Sequence, residues 1–214
     1  MERREFLASA GAAMLAGSSG LANANTEPST RIAPNPTPVA HLLPNVKLRT
    51  QDNKEVRLYE DLLKGKIFSI NMFYVACVDG ACPFVTANLA RVQPLIGARL
   101  GRDIFMYSIT LEPELDTPKR LKEYMANYKI HPGWTFLTGA KEDIELLRRG
   151  LGFWDPDPVR DKLRTTHAGI AQMGNEPLDR WMACPTLAEP REIRRVMSYL
   201  DWPKGWPKNG APKT

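Results

Sequence analysis

Cysteine and histidine are both scarce in this chain, with three of each among 214 residues. At most one disulfide can form within it, so its stability has to come mainly from an apolar core. Two of the cysteines, Cys77 and Cys82, nevertheless lie five positions apart in FYVACVDGACPF, residues 73–84. This spacing leaves three alternatives for the pair, namely a disulfide staple, a redox pair and a metal site.

The sequence also lacks a long hydrophobic run. A twin arginine at residues 3–4 precedes Phe-Leu and a short apolar stretch rich in Gly, Ala and Ser, and an A-x-A site follows at 22–24. The stretch is too short for a membrane anchor, and the pattern is typical of an export signal of the twin-arginine (Tat) type. We therefore expect residues 1–24 to be a cleavable signal peptide and the mature protein to be periplasmic.

Apolar residues are few at both ends of the remaining chain. Residues 25–40 are rich in Pro, Thr and Asn, which predicts a flexible linker, and residues 204–214 form a basic tail rich in Pro and Gly. Residues 41–203 have the length and composition of one domain with a full core. No internal repeat is present.

The net charge of +5 is modest, and its lysines and arginines are scattered. No motif typical of a groove-reading protein is present, so we expect no nucleic-acid partner. Peripheral contact with an anionic membrane surface, or with an acidic partner protein, is compatible with this charge.

Strands and helices alternate along the domain. Residues 66–74 and 103–111 are apolar and rich in β-formers, as in buried strands, and apolar residues at helical spacing predict a helix after the cysteine loop. Further helices are expected at 118–128, 141–149 and 189–200, a strand at 134–138, a loop at 151–166 and a strand pair at 167–173 and 178–182. Two cysteines between the first buried strand and its helix match the thioredoxin-like arrangement. We predict an α/β, thioredoxin-like fold with a central mixed sheet flanked by helices.

The cysteine loop has the chemistry for redox work or for metal binding. Cys82 is predicted at a helix N-terminus, where backbone N–H groups and the helix dipole favour a thiolate. A thiolate is the nucleophile of disulfide exchange and a ligand for soft metals. A staple would do little, because closing so short a loop hardly restricts the unfolded chain. Two buried, inert cysteines remain the other structural alternative.

Two further residues are candidates for the same site. His167 opens a predicted strand whose first residues face the cysteine turn in a thioredoxin-like sheet, and imidazole is a common copper ligand. A purely structural histidine is the alternative. Cys184 fits a small core residue better than a third sulfur ligand, since free cysteine is usually buried.

Several segments together resemble the Sco/SenC family of thioredoxin-fold copper chaperones. PNVKLRTQDNKEVRLYEDLLKGKIFSINMFY resembles the family's initial β-hairpin and first core strand, and CVDGACP resembles its cysteine loop. MYSITLEPELDTPKRLKEY and GWTFLTG resemble the second strand with its helix and the third strand. The resemblance covers roughly residues 44–200. This chain departs from the family's C-x-x-x-C-P loop by one extra residue, and Thr166-His167 stands in place of an Asp-His pair.

The resemblance implies a site and a function. Cys77, Cys82 and His167 would bind one Cu(I) or Cu(II) ion, and the protein would deliver copper to a respiratory enzyme such as cytochrome oxidase or nitrous oxide reductase. The alternative is a thiol-disulfide oxidoreductase in which Cys77 and Cys82 reduce the cysteines of the recipient copper site. The expected partner in either case is the copper-receiving subunit of that enzyme.

Overall fold

Seven strands form one mixed sheet in the computed structural model, which describes residues 43–77, 81–163 and 169–201. They are β1 (Lys47–Thr50), β2 (Glu55–Arg57), β3 (Ile67–Phe73), β4 (Ile104–Thr110), β5 (Trp134–Gly139), β6 (Ile170–Asn175) and β7 (Arg180–Pro185). Their order across the sheet is β2-β1-β5-β4-β3-β6-β7. The central strands β3, β4 and β5 run parallel, and the other neighbours pair antiparallel. The predicted mixed sheet with an N-terminal β-hairpin is confirmed.

Five α-helices accompany this sheet in the described part of the chain. They are α1 (Ala81–Ile96), α2 (Pro118–Ala126), α3 (Lys141–Gly150), α4 (Pro158–Asp161) and α5 (Pro190–Leu200). A π-helical turn at Leu58–Leu63 and two 3₁₀ turns complete the elements. Among the helices of the described ranges, none has the length and apolar character needed to span a bilayer.

The segment 151–166, predicted as a loop, contains the short helix α4 within its described part. Asp157 caps this helix, because its side chain accepts a hydrogen bond of 2.9 Å from the N–H of Val159. Pro158 occupies the first helical position, where the missing N–H has no cost. An Asp-Pro pair therefore started a helix here, although its composition is also typical of loops.

The core lies on both faces of the sheet. All seven residues of β3 are buried, and their side chains alternate between the two faces. Ile67 and Phe73 join one apolar cluster, which α1, α2 and α5 cover. Phe68, Ile70 and Met72 join the second cluster, which the π-helical turn and α3 cover. Burial on both faces explains why β3 is mostly apolar, with Ser69 and Asn71 as its two polar residues.

Helix α1 carries the predicted apolar stripe. Its buried side chains include Val85, Leu89, Val92 and Ile96, at spacings of three and four residues. The helix begins at Ala81, two residues before Pro83, and ends at Ile96 because Gly97 has a φ of +64°.

Candidate metal site

The cysteine loop leaves the sheet at the carboxyl ends of its parallel strands. β3 ends at Phe73, which pairs with Thr110 at the end of β4. The chain then continues through Tyr74 to Cys77, and the described part resumes at the first residue of α1. This edge is where open α/β sheets bind ligands, because backbone and side chains diverge there around a crevice.

The first residues of α1 point a backbone donor at the first cysteine. The N–H of Cys82 donates a hydrogen bond of 3.3 Å to Sγ of Cys77. Both cysteines are free thiols; Cys77 is partly exposed and Cys82 is completely buried. The chain between the two cysteines therefore folds back and places the Cys77 side chain at the N-terminus of α1.

The pKa values of the two thiols are shifted in opposite directions. Burial acts to raise the pKa of Cys77, but hydrogen bonds from the backbone of Cys82 and Ala81 and from the side chains of Cys82 and Tyr74 outweigh it, and the pKa of Cys77 falls below its ordinary value. Burial raises the pKa of Cys82 to about 12, and the nearby Cys77 and Asp116 add to that effect. The prediction that the helix N-terminus favours the thiolate of Cys82 is therefore wrong: it favours Cys77, whose sulfur lies in front of the helix N–H groups.

A buried carboxylate fixes the start of the cysteine loop. Asp116 is fully buried, and its Oδ2 accepts hydrogen bonds from the N–H of Val75 at 3.0 Å and from the hydroxyl of Thr110 at 2.5 Å. Its Oδ1 has no hydrogen-bond partner among the residues that the structure describes, and lies 3.7 Å from Nε of Arg120. Because Val75 is two residues before Cys77, this contact ties the loop to the end of β4.

The role of Asp116 was not predicted from the sequence. Asp116 and Thr117 both precede α2 and both have side chains of the type that caps helices, and the structure separates their roles. The hydroxyl of Thr117 caps the helix by accepting from the N–H of Arg120 at 3.4 Å, which leaves Asp116 to bind the cysteine loop. The sequence does contain a signal for this role: two residues that can cap a helix precede α2, and one cap is enough, so the other side chain is left for a different contact.

An aromatic wall supports the first turn of α1. The hydroxyl of Tyr124 lies 2.8 Å from that of Thr86 and donates to the carbonyl of Cys82 at 3.5 Å. Its ring packs against Phe73 and Phe136, with centroids 5.5 and 6.0 Å away. Cys82 is thus held in a packed apolar setting, which is why its thiol stays protonated.

Cys184 is a core residue, as predicted. It lies in β7, is 3% exposed, and belongs to the same apolar cluster as Cys82. Burial raises the pKa of its thiol. A neutral, buried thiol has the properties of a small apolar side chain.

His167, the third predicted ligand, lies outside the described residues, as does His41. The strand that follows it begins at Ile170, and Ala171 is paired with Asn71 near the end of β3, so β6 starts at the same edge as the cysteine loop. Within the described ranges, no group of three or more Cys, His, Asp or Glu side chains could hold a metal ion. Cys77 and Cys82 still supply two sulfur ligands of the kind that soft metals prefer.

His131 and Trp134 make structural contacts. The backbone N–H of His131 donates to Oε1 of Gln93 at 2.7 Å, and Trp134 is buried with its indole N–H bound to Ser108. A groove of about 580 Å³ lies beside α3 and α4, away from the cysteines. Its buried Arg148 is already paired with Glu145 and Asp161.

Comparisons with known proteins agree on one family. A family profile described as SCO1/SenC matches residues 40–169. The SCO1 protein homolog of Bacillus subtilis is 34% identical over 99 residues, which are 45% of this chain and 49% of that protein. The chain thus spans about half the length of this curated relative.

Solved structures show the same fold. Yeast Sco1 with copper bound superimposes with a TM-score of 0.56 at 19% identity, covering 74% of this chain and 94% of that one. BsSco, a Sco protein described with a disulfide switch, superimposes with a TM-score of 0.59 at 23% identity, covering 74% and 92%. At such identities the likeness shows the fold, and it confirms the predicted thioredoxin-like architecture.

Proposed function

The chain belongs to the SCO1/SenC family, and from that premise we propose that it is an exported copper chaperone. Copper is its cargo, received outside the cytoplasm and passed to a respiratory copper enzyme. The observation that supports this most directly is the pairing of Cys77 with the N-terminus of α1, where the N–H of Cys82 lies 3.3 Å from its sulfur.

The proposed ligands are Cys77, Cys82 and His167. Thiolates favour Cu(I), and an imidazole added to them suits Cu(II) as well. Cys77 is the first ligand, because it is partly exposed and its pKa is lowered. Cys82 keeps its proton until copper takes the place of that proton, since metal binding requires the thiolate and releases a proton.

The proposed recipient is a copper centre of cytochrome oxidase or nitrous oxide reductase. Two similar proteins support the first of these: yeast Sco1 binds copper, and BsSco is a member of the Sco family of cytochrome c oxidase assembly proteins. The N-terminal twin arginine and A-x-A site support export to the periplasm.

A second function is supported by the asymmetry of the two thiols. A partly exposed cysteine with a lowered pKa beside a buried one with a raised pKa is the arrangement of an attacking and a resolving thiol. The thiolate of Cys77 would attack a disulfide of the recipient and release one of its sulfurs as a thiol. Cys82, after losing its proton to solvent, would then attack Cys77, which leaves two recipient thiols and a Cys77–Cys82 disulfide.

Two measurements on reduced protein spanning residues 25–214 distinguish these functions. We expect one Cu(I) per chain in competition titrations against a Cu(I) chelator, and loss of tight binding in Cys77→Ser and Cys82→Ser. Cys184→Ala is the matched control, because it removes a thiol from the core outside the loop. Cu(I) affinity equal to that of the wild type in either serine variant would refute the site. A reduction potential well below that of the recipient's cysteines, with no tight copper binding, would favour the reductase.

A further inference from the structure

An uncharged surface lies beside the cysteine loop. Residues 81–90, the first ten of α1, and residues 181–188 contain no charged side chain, although 25% of the whole chain is charged. The two segments are neighbours, because Nδ2 of Asn88 donates to the carbonyls of Thr186 at 2.9 Å and Ala188 at 2.8 Å. Since α1 begins in the cysteine loop, this surface starts at the candidate site.

The uncharged surface exposes large apolar side chains to solvent. Phe84 is 69% exposed and Leu187 is 59% exposed, and Ala87, three residues after Phe84 on α1, is also exposed. We call these three residues the rim surface. The charged residues that follow these two segments along the chain are Arg91, one turn further along α1, and Glu189, just before α5. An apolar centre with a polar border is the usual anatomy of a protein interface.

We propose that the rim surface docks the copper-receiving protein, and that the contacting face of that partner is apolar and uncharged. This inference rests on the proposed function. Phe84 is two residues from Cys82, so a partner that covers it brings its own ligands to Cys77.

The size and charge of the rim surface favour this partner over other occupants. A stable dimer needs an interface of about 20 residues or more on each side, whereas the rim surface offers three. An anionic membrane is attracted by clustered Lys and Arg, and the two segments that form the surface have none. A small, neutral, apolar contact suits a transient partner that has to be released after one ion is passed.

The test compares copper transfer by exposed-residue variants. Phe84→Ser and Leu187→Ser remove the rim surface, and Leu146→Ser is the matched control, since Leu146 is 52% exposed on α3, which packs over the opposite face of the sheet. Each Cu(I)-loaded protein is mixed with the soluble copper-receiving domain of a cytochrome oxidase subunit and, separately, with a small Cu(I) chelator that needs no docking.

We expect Phe84→Ser to slow transfer to the protein domain about tenfold, the loss typical of a buried aromatic anchor. Transfer to the chelator and Cu(I) affinity should be unchanged, and Leu146→Ser should equal the wild type. Because the proposed contact is uncharged, raising the salt from about 0.05 to about 0.5 M should change the rate less than about twofold.

Four outcomes would overturn the proposal. The first is an unchanged rate of transfer in Phe84→Ser, and the second is a steep salt dependence of transfer by the wild type. The third is wild-type transfer to the domain that is no faster than transfer to the chelator. The fourth is a loss of vesicle binding or self-association in Phe84→Ser without an effect on transfer. The last would assign the surface to a membrane or to a second copy. A wild-type protein that binds no copper would instead refute the proposed function.

Discussion

Replacing Asp116 with alanine should loosen the cysteine loop and destabilise the fold. The substitution leaves the N–H of Val75 and the hydroxyl of Thr110 without their acceptor. Each buried donor left unpaired costs about 1–3 kcal/mol, so the two together predict a loss of about 3 kcal/mol. Part of this cost is offset, because the substitution also removes a buried Oδ1 for which the described part of the chain offers no hydrogen bond.

The assay for this prediction is urea unfolding, read as a free energy of unfolding with its m-value. For a domain of this size, about 3 kcal/mol corresponds to a fall in Tm of about 6–12 °C. Asp116→Asn is the matched control, because its amide oxygen can still accept from both donors; we expect a loss of about 1 kcal/mol. Copper affinity should weaken in the alanine variant, since Cys77 follows Val75 by two residues.

A destabilisation of Asp116→Ala below about 0.5 kcal/mol, the range of ordinary surface substitutions, would refute this reasoning. Equal losses in the alanine and asparagine variants would contradict it as well. That result would mean that the carboxylate charge, and not the two hydrogen bonds, stabilises the loop.

Three further predictions concern the thiols, the histidine and one turn. In reduced protein, alkylation read by peptide mass spectrometry should label Cys77 at a pH below the ordinary thiol pKa, because only thiolates react. Cys82 should be labelled only as the pH approaches about 12. Labelling in the reverse order would contradict the assignment. His167→Ala should lose the Cu(II)–thiolate absorption yet keep part of its Cu(I) binding, and unchanged Cu(II) spectra would make the histidine structural. Gly133→Ala should lower stability by more than about 1 kcal/mol in thermal unfolding, since Gly133 has a φ of +98° and a Cβ there would lie 2.3 Å from the backbone nitrogen of Gly101. Wild-type stability would contradict that steric argument.

Periodicity predicted the central part of the fold. The strand β3 was predictable because seven mostly apolar residues follow one another. The apolar face of α1 was predictable because apolar residues recur at helical spacing along it. The short α4 was missed, because its Asp-Pro pair is as typical of loops as of helix starts. Four helical residues are too few for a pattern to decide.

The cysteine site was predicted in its members but not in its electrostatics. The sequence indicates a helix after Cys82, yet not that Cys77 lies in front of that helix, since this depends on the path of the loop. The exposure of Phe84 was likewise not predictable, because a phenylalanine within an apolar stretch is usually buried. Long-range contacts such as that between Asp116 and Val75 depend on the packing of two loops from separate strands.

The most direct test of the copper assignment is X-ray absorption at the copper edge of the loaded protein. We expect two sulfur atoms at about 2.3 Å from the copper ion, a distance taken from zinc–thiolate bonds. One sulfur should remain in Cys77→Ser and in Cys82→Ser, and two in Cys184→Ala. A first shell of nitrogen and oxygen alone in the wild-type protein, or two sulfurs retained in either serine variant, would contradict it.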